Sequence, residues 1–253
     1  MRVGMTLRHP ILRYVPLLLI GLAWEAASRL GLVSTLVLPP LSKVIEAWGN
    51  LALDGDLASN GLASLYRSGI GLALAIVVGA ALGIAMGVWR PANIVLGPLV
   101  EALYPIPKSA LIPVTALWLG FGDGSKILLI FLGCMLPVTL GAFNGARGRD
   151  MMLVWSARSL GASPLRLLRD VVFPSAVPEL LNGIRVALAL SFVLLVSSEL
   201  IASRKGLGFM IGVLGDGGNY DGMFATVLTV AALGFVADRV FIVVSNRLLG
   251  WRA

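Results

Sequence analysis

Side chains that could perform covalent chemistry are scarce in this chain of 253 residues. It has one histidine, His9, and one cysteine, Cys134, so it can build neither an internal disulfide nor a multi-cysteine metal site. It also lacks a Gly-rich phosphate loop ending in Gly-Lys-Ser/Thr, a His-Glu-x-x-His zinc motif and a Gly-x-Ser-x-Gly elbow. This inventory predicts a protein that is not an enzyme and that binds no metal or cofactor of its own.

The more informative side chains are the few charged residues inside apolar runs. A charged group at the centre of a bilayer costs about 2.5–3.5 kcal/mol on insertion scales, so it usually faces the interior of a helix bundle. Lys108 could attract an anionic solute where a helix kinked at Pro107 lines a gate, or it could form a structural ion pair with Glu101 or Glu199. Glu199 lies near the mouth of its apolar run. These four residues are the candidates for a solute pathway.

The composition indicates a membrane protein. Hydrophobic residues make up 58% of the chain and charged residues only 13%, whereas soluble domains carry about 25% charged residues. The mean hydropathy is +0.92. The net charge of +7 fits basic cytoplasmic loops better than nucleic-acid binding.

Six apolar runs predict an all-α, polytopic membrane helix bundle with six transmembrane helices. The runs cover residues 16–30, 68–89, 96–119, 127–146, 182–202 and 223–244. The third run contains four prolines, and such broken backbone persists at membrane depth only if it is buried in protein or lines a watery cavity. No domain-sized soluble segment interrupts the runs, so residues 1–253 are expected to form a single transmembrane domain.

Small residues recur every four positions in the second run, at Gly71, Ala75, Gly79, Gly83 and Gly87. Such a stripe lets a neighbouring helix approach closely, which is how helices associate in lipid. The stripe therefore predicts helix packing rather than a binding site. The fourth and fifth runs carry similar stripes.

Residues 147–174, called the polar loop below, form the longest polar interruption between two apolar runs. Gly161 suits the end of a helix, because only glycine adopts a left-handed backbone without steric cost. Ser163 followed by Pro164 suits the start of the next helix. Pro174 should then stop or kink that helix. The spacing predicts two short helices with a sharp bend between them.

The distribution of Lys and Arg decides the orientation. The N-terminal stretch, the loop at Arg90, the polar loop and the C-terminal tail hold most of the basic residues that lie outside the spans. By the positive-inside rule, both termini and the polar loop are expected to face the cytoplasm. No small-residue cleavage site follows the basic stretch 1–14, so the first run is predicted to be a retained span.

The polar loop resembles the cytoplasmic loop of the inner-membrane permeases of ABC importers. That pattern is Glu-Ala-Ala, three residues, Gly, nine residues, then Ile-x-Leu-Pro. Ala157, Gly161 and the tetrapeptide at 171–174 match at the family spacing, whereas Trp155 and Ser156 replace Glu-Ala. The segment 105–122 also resembles the subfamily that imports sulfonates, taurine, nitrate, bicarbonate and some vitamin precursors.

The resemblance implies a permease subunit with its importer core at about 60–250, in the bacterial cytoplasmic (inner) membrane. It implies a homodimer, two copies of a separate ATPase that binds ATP and Mg, and a periplasmic or lipid-anchored solute-binding protein. The solute would be small and, given Lys108, anionic. The polar loop would dock on the ATPase as a coupling helix, and the residues expected at that contact are Trp155, Ser156, Ala157, Arg158, Ser159, Leu160, Gly161, Ala162 and Pro174.

Two alternatives stay open. A secondary transporter driven by an ion gradient would have discontinuous helices at mid-membrane in paired repeats. Only the third run is broken, and no partner repeat is evident. The transmembrane component of an energy-coupling-factor vitamin transporter is the nearer variant, because residues 157–159 loosely resemble its coupling motif.

Overall fold

The structure is a computed structural model that describes residues 15–250. The basic stretch 1–14 with His9, and the terminal residues Trp251 and Arg252, lie outside the described residues. The described chain is helical, with short loops, one 3₁₀ turn and one π turn. Its α-helices are α1 Val15–Arg29, α2 Leu41–Leu53, α3 Asp56–Val88, α4 Arg90–Leu103, α5 Ile112–Leu119, α6 Asp123–Arg147, α7 Met151–Ser159, α8 Pro164–Leu167, α9 Phe173–Ala202, α10 Leu207–Asp216 and α11 Tyr220–Leu248.

Four helical segments of the described chain are long and apolar enough to cross a membrane. They are α3, α6, the continuous segment Pro164–Ala202 that ends in α9, and α11. They coincide with the second, fourth, fifth and sixth predicted spans. Of the other two predicted spans, α1 has 15 described residues and the third is broken into shorter helices. The number of six spans and the inward position of both termini therefore stay predictions.

The core of the bundle consists of α3, α6 and α9, and glycines bring their backbones together. A Cβ atom added at Gly79 would lie 2.8 Å from the carbonyl oxygen of Met135. One added at Gly83 would lie 2.6 Å from the Cβ of Ala142. The predicted role of the glycine stripe in helix packing is thus confirmed, with α6 as the neighbouring helix.

The third predicted span is irregular, as expected from its prolines. The helix α4 begins at Arg90 and ends at Leu103, and a 3₁₀ turn over Lys108–Leu111 precedes α5. The extended backbone of Trp89 separates α4 from α3. The unwound residues 104–107 therefore lie between two short helices that pack against the core.

Pro174 does not stop the helical segment that precedes it, and the alternative of a kink at this position stays a prediction. A π turn over Leu168–Val172 leads directly into α9, and Pro174 lies in the first turn of α9. Pro174 lacks a backbone donor, and the first turn of a helix is the position where such a loss is tolerated. The chain consequently runs without a break from the polar loop into a long apolar helix.

Candidate functional site

The polar loop folds as two short helices with a tight bend, as predicted. Asp150 caps α7 by accepting a hydrogen bond from the backbone N–H of Met152 at 2.8 Å. Gly161 has φ +78°, and Ser163 accepts from the backbone N–H of Arg166 at 3.3 Å at the start of α8. The sequence therefore determines this local geometry through its caps and its left-handed glycine.

The polar loop presents an exposed apolar surface. Trp155 is 58% exposed and Leu160 is 86% exposed, whereas Val154 is the one buried residue of α7. Arg158 and Ser159 are also exposed beside them. A large apolar side chain rimmed by polar residues is typical of a protein contact surface.

The remaining residues expected at this contact lie on the same loop or at its end. Ser156 and Gly161 are exposed, and Ala157, Ala162 and Pro174 are half-buried. Eight of the nine residues are contiguous at the bend, and Pro174 lies apart in α9. The structure thus brings 155–162 together on one surface.

Glu199 belongs to an ion cluster at the opposite end of the bundle, in which Glu199 and Arg67 are buried and Asp123 is exposed. Its carboxylate accepts from Nη1 of Arg67 at 2.6 Å and from the Ser64 hydroxyl at 2.8 Å. Arg67 also donates through Nε to Asp123 at 2.7 Å. We call Ser64, Arg67, Asp123 and Glu199 the Arg67 cluster. It joins α3, α6 and α9.

The Arg67 cluster also fixes the turn that leads from α9 to α10. The backbone N–H of Gly208 donates to Glu199 at 3.0 Å, and Nη1 of Arg67 donates to the carbonyl of Lys205 at 2.6 Å. Gly206 has φ +123°, and any Cβ atom there would overlap the Glu199 carboxylate. Only glycine fits at this position.

The predicted Lys108–Glu199 pair is wrong, because Glu199 is fully buried against Arg67. Lys108 and Glu101 also form no ion pair within residues 15–250, and Glu101 is exposed. The sequence gives no local signal for the Arg67–Glu199 pair, since its members are 132 residues apart. The burial of Arg67 depends on the packing of three helices.

The ammonium of Lys108 instead binds the backbone of the unwound segment. Its Nζ donates to the carbonyls of Leu103 at 2.6 Å, Ile106 at 2.7 Å and Tyr104 at 3.4 Å. Carbonyls at the end of a helix lack partners inside the helix, so Lys108 satisfies those that the break in α4 leaves free. Pro107 precedes the 3₁₀ turn directly and holds the chain out of a helix there.

A second charged pair joins two membrane-spanning helices. Arg185 of α9 donates through Nε and Nη2 to both carboxylate oxygens of Asp238 of α11, at 2.8 and 3.2 Å. The pair is partly exposed on the surface of the single chain. Among residues 15–250, no group of three or more His, Cys, Asp or Glu side chains is arranged to hold a metal ion.

Comparisons with known proteins agree with this architecture. The family of binding-protein-dependent transport system inner membrane components matches residues 68–250. The taurine transport system permease protein TauC of Escherichia coli (strain K12) is 35% identical over 96% of this chain and 92% of its own length. The putative aliphatic sulfonates transport permease protein SsuC of Bacillus subtilis (strain 168) is 34% identical over 90% of this chain and 83% of its own.

A solved structure supports the fold. The MetNI methionine ABC transporter in an inward-facing conformation has a TM-score of 0.67 and 20% identity, and the match covers 78% of this chain and 98% of that chain. The resemblance that the polar loop suggested is therefore confirmed. This chain is a multi-pass permease subunit of an ABC importer and not itself an enzyme, and such a system implies an ATPase and a solute-binding partner. On these grounds the chain belongs to the family of binding-protein-dependent transport system inner membrane components.

Proposed function

We propose that this permease carries a small anionic solute of the sulfonate type, such as taurine, across a bacterial inner membrane. Two copies would form the pathway, each with six spans and with both termini in the cytoplasm. The proposal is carried by two findings that agree. Two similar permeases are named for taurine and aliphatic sulfonates, and the polar loop is an exposed helical surface suited to a partner protein.

The polar loop is proposed to dock on the ATPase through Trp155, Leu160 and their neighbours from 156 to 162. The exposed apolar side chains of this bend would fill a groove on the partner, and Arg158 would supply charge at its rim. Trp155 stands where the family has a glutamate, so packing should contribute more here than an ion pair. The ATP and Mg would be bound by the partner alone.

Cross-linking tests the docking directly. With Ser159→Cys in a Cys134→Ser background, we expect a cross-link to a single cysteine in the groove of the co-expressed ATPase. Trp155→Ala should weaken co-purification of the ATPase, whereas Arg169→Ala, at an exposed position of the same loop, serves as the matched control. Absence of a cross-link in an otherwise assembled complex would remove the docking proposal.

The solute pathway is proposed to pass the break in the third span, near Glu101, Pro107 and Lys108. Unwound backbone next to the core, with a lysine and a glutamate close in sequence, supports this choice. Glu199 would contribute only if the Arg67 cluster opened during transport, because its side chain is fully buried in the closed arrangement.

Uptake by the reconstituted transporter tests the pathway and the solute class together. Proteoliposomes with the ATPase and the binding protein should accumulate radiolabelled taurine when ATP is enclosed. Lys108→Met should reduce uptake of taurine more than the stimulated ATP hydrolysis, whereas Lys43→Met, at an exposed position on α2, should change neither. Equal uptake by Lys108→Met and the parent protein would remove Lys108 from the pathway.

The same proteoliposomes separate the two alternatives. Uptake that collapses with a protonophore at constant ATP would identify a secondary transporter. Uptake that needs no solute-binding protein would favour the energy-coupling-factor arrangement. Attachment of membrane-impermeant thiol reagents to Leu160→Cys from the cytoplasmic side alone would support the proposed orientation.

A further inference from the structure

Arg149 lies between the membrane-spanning core and the helix that is proposed to meet the ATPase. It immediately precedes Asp150, which caps α7. Its Nη1 donates to the carbonyl of Gly87 in α3 at 3.0 Å and to the carbonyl of Ala146 in α6 at 2.6 Å. One guanidinium therefore connects the start of α7 to two core helices.

The two carbonyls are suitable partners for a cation. Each belongs to the last turn of its helix, where carbonyls lack donor partners within the helix and the helix dipole is negative. The helices are also in close contact there: a Cβ added at Gly87 would lie 2.6 Å from the Cβ of Ala146. Arg149 thus binds the ends of α3 and α6 at a point where they already touch.

Few other contacts of the polar loop could connect α7 to the core helices. Val154 is the one buried residue of α7. Among the hydrogen bonds of residues 15–250, the Arg149–Gly87 bond is the one that joins a side chain of the polar loop to α3. The buried Nε of Arg149 has no acceptor in this part of the chain, so the bonds of Nη1 alone hold the guanidinium in place.

We infer that Arg149 is a positioning residue that makes α7 move together with the ends of α3 and α6. The inference rests on the proposed docking of the polar loop on an ATPase. A displacement of α7 by the partner would then pass to the core through the Arg149–Gly87 bond, in addition to the covalent connection to α6. Without that bond, α7 could shift while α3 stayed in place.

The first experiment measures coupling in the complete reconstituted complex. Arg149→Gln, Arg149→Lys and Arg147→Gln are compared for complex assembly, for ATP hydrolysis and for radiolabelled taurine transported per ATP hydrolysed. Arg147 is the matched control, because it is two residues away, is exposed, and its guanidinium lies 5.7 Å from the Phe143 ring centre. Among the hydrogen bonds of residues 15–250, its side chain donates none to α3. Both Gln variants remove one positive charge from the same segment.

We expect Arg149→Gln to assemble and to hydrolyse ATP, with the taurine-to-ATP ratio lowered by about two- to thirtyfold, the range seen for residues within coupled networks. Arg149→Lys should recover part of the ratio, because its ammonium can reach one of the two carbonyls. An unchanged ratio in Arg149→Gln would overturn the inference, as would an equal loss in Arg147→Gln.

A second experiment does not depend on a variant of Arg149. Spin labels at Val88→Cys and Leu153→Cys, both exposed, report the distance between the end of α3 and α7 in a Cys134→Ser background. We expect the same distance with and without nucleotide, because the two elements move as one body. A change of distance between the two states would overturn the inference even if Arg149→Gln and Arg149→Lys both failed to assemble. If the parent protein fails to bind the ATPase, the docking proposal fails. If the parent complex assembles but the ratio or the distance contradicts the expectation, only the inference about Arg149 fails.

Discussion

Removal of the Glu199 carboxylate tests the account of the Arg67 cluster most directly. Glu199→Ala deletes the acceptor for Arg67, for Ser64 and for the backbone N–H of Gly208. Both Glu199 and Arg67 are buried, at 0% and 5% exposure. The substitution therefore leaves an arginine in the interior without one of its two carboxylates.

The expected magnitude follows from what Arg67 retains. Breaking a buried ion pair by removing one partner costs about 3–5 kcal/mol. Arg67 still reaches Asp123 at 2.7 Å and the carbonyl of Lys205 at 2.6 Å, so its charge stays partly compensated. We therefore expect a loss at the low end, about 3 kcal/mol in the free energy of unfolding. Glu199→Gln keeps one oxygen acceptor and should lose less.

The assay is reversible unfolding of the purified chain in mixed micelles of SDS and a mild detergent, followed by far-UV circular dichroism. Asp170→Asn serves as the control, because Asp170 is 58% exposed and 3.9 Å from an exposed Arg169. Surface pairs of this kind contribute little to stability. The control should unfold like the parent protein.

The double variant Arg67→Met/Glu199→Leu sharpens the test. Replacing a buried pair with apolar residues of similar volume is often neutral or stabilising, so the double variant should be more stable than Glu199→Ala. A Glu199→Ala protein that unfolds like the parent would refute the reasoning. That result would mean that the carboxylate contributes nothing to the junction of α3, α6 and α9.

Three further substitutions test the packing, the bend and the turn before α6. Gly83→Ala should destabilise the bundle by about 1–3 kcal/mol, because the added methyl group overpacks against α6. The control Gly69→Ala, with nothing within 4 Å of the added methyl group, should be neutral or stabilising. SDS unfolding that ranks the two variants in the opposite order would contradict the packing account. At Gly161→Ala there is space for the methyl group, but the backbone φ of +78° costs an L-residue about 1 kcal/mol. This strain should weaken binding of the ATPase to the permease about fivefold. A binding titration with the ATPase that gives the same affinity as the parent protein would argue against the bend. Lys126→Met removes a buried ammonium that donates to the carbonyls of Phe121 and Ala202. We expect the free energy of unfolding to fall by about 2 kcal/mol in the same assay. Stability equal to that of the parent protein would show that these carbonyls find other donors.

Local structure was predictable where it depends on neighbouring residues. The order Gly161, Ser163, Pro164 defines a helix end and a helix start through backbone conformation and capping, and both form as expected. The four-residue spacing of Gly79 and Gly83 predicted a close helix contact because such a spacing lies on one helical face. The contact forms against α6.

The outcome at Pro174 shows the limit of a local rule. A proline inside a helix is expected to end or kink it, because the ring removes a donor and clashes with the preceding turn. Here a π turn over Leu168–Val172 precedes Pro174, the proline falls in the first turn of α9, and the helical segment continues. Val172 and Ala176 on either side of this proline pack with Ala146 of α6, a contact that residue spacing does not reveal.

The sequence by itself determined that the chain is an apolar helical bundle with a capped polar loop, since hydropathy, glycine spacing and caps act over a few residues. Only the tertiary structure decided the partners of its charges. Glu199 pairs with Arg67, Lys108 donates to backbone carbonyls, and Arg149 donates to the carbonyl of Gly87. The physical reason is that an ion in an apolar interior binds whichever opposite charge or carbonyl the packed helices bring within reach, and for Glu199 and Arg149 that neighbour lies far away along the chain.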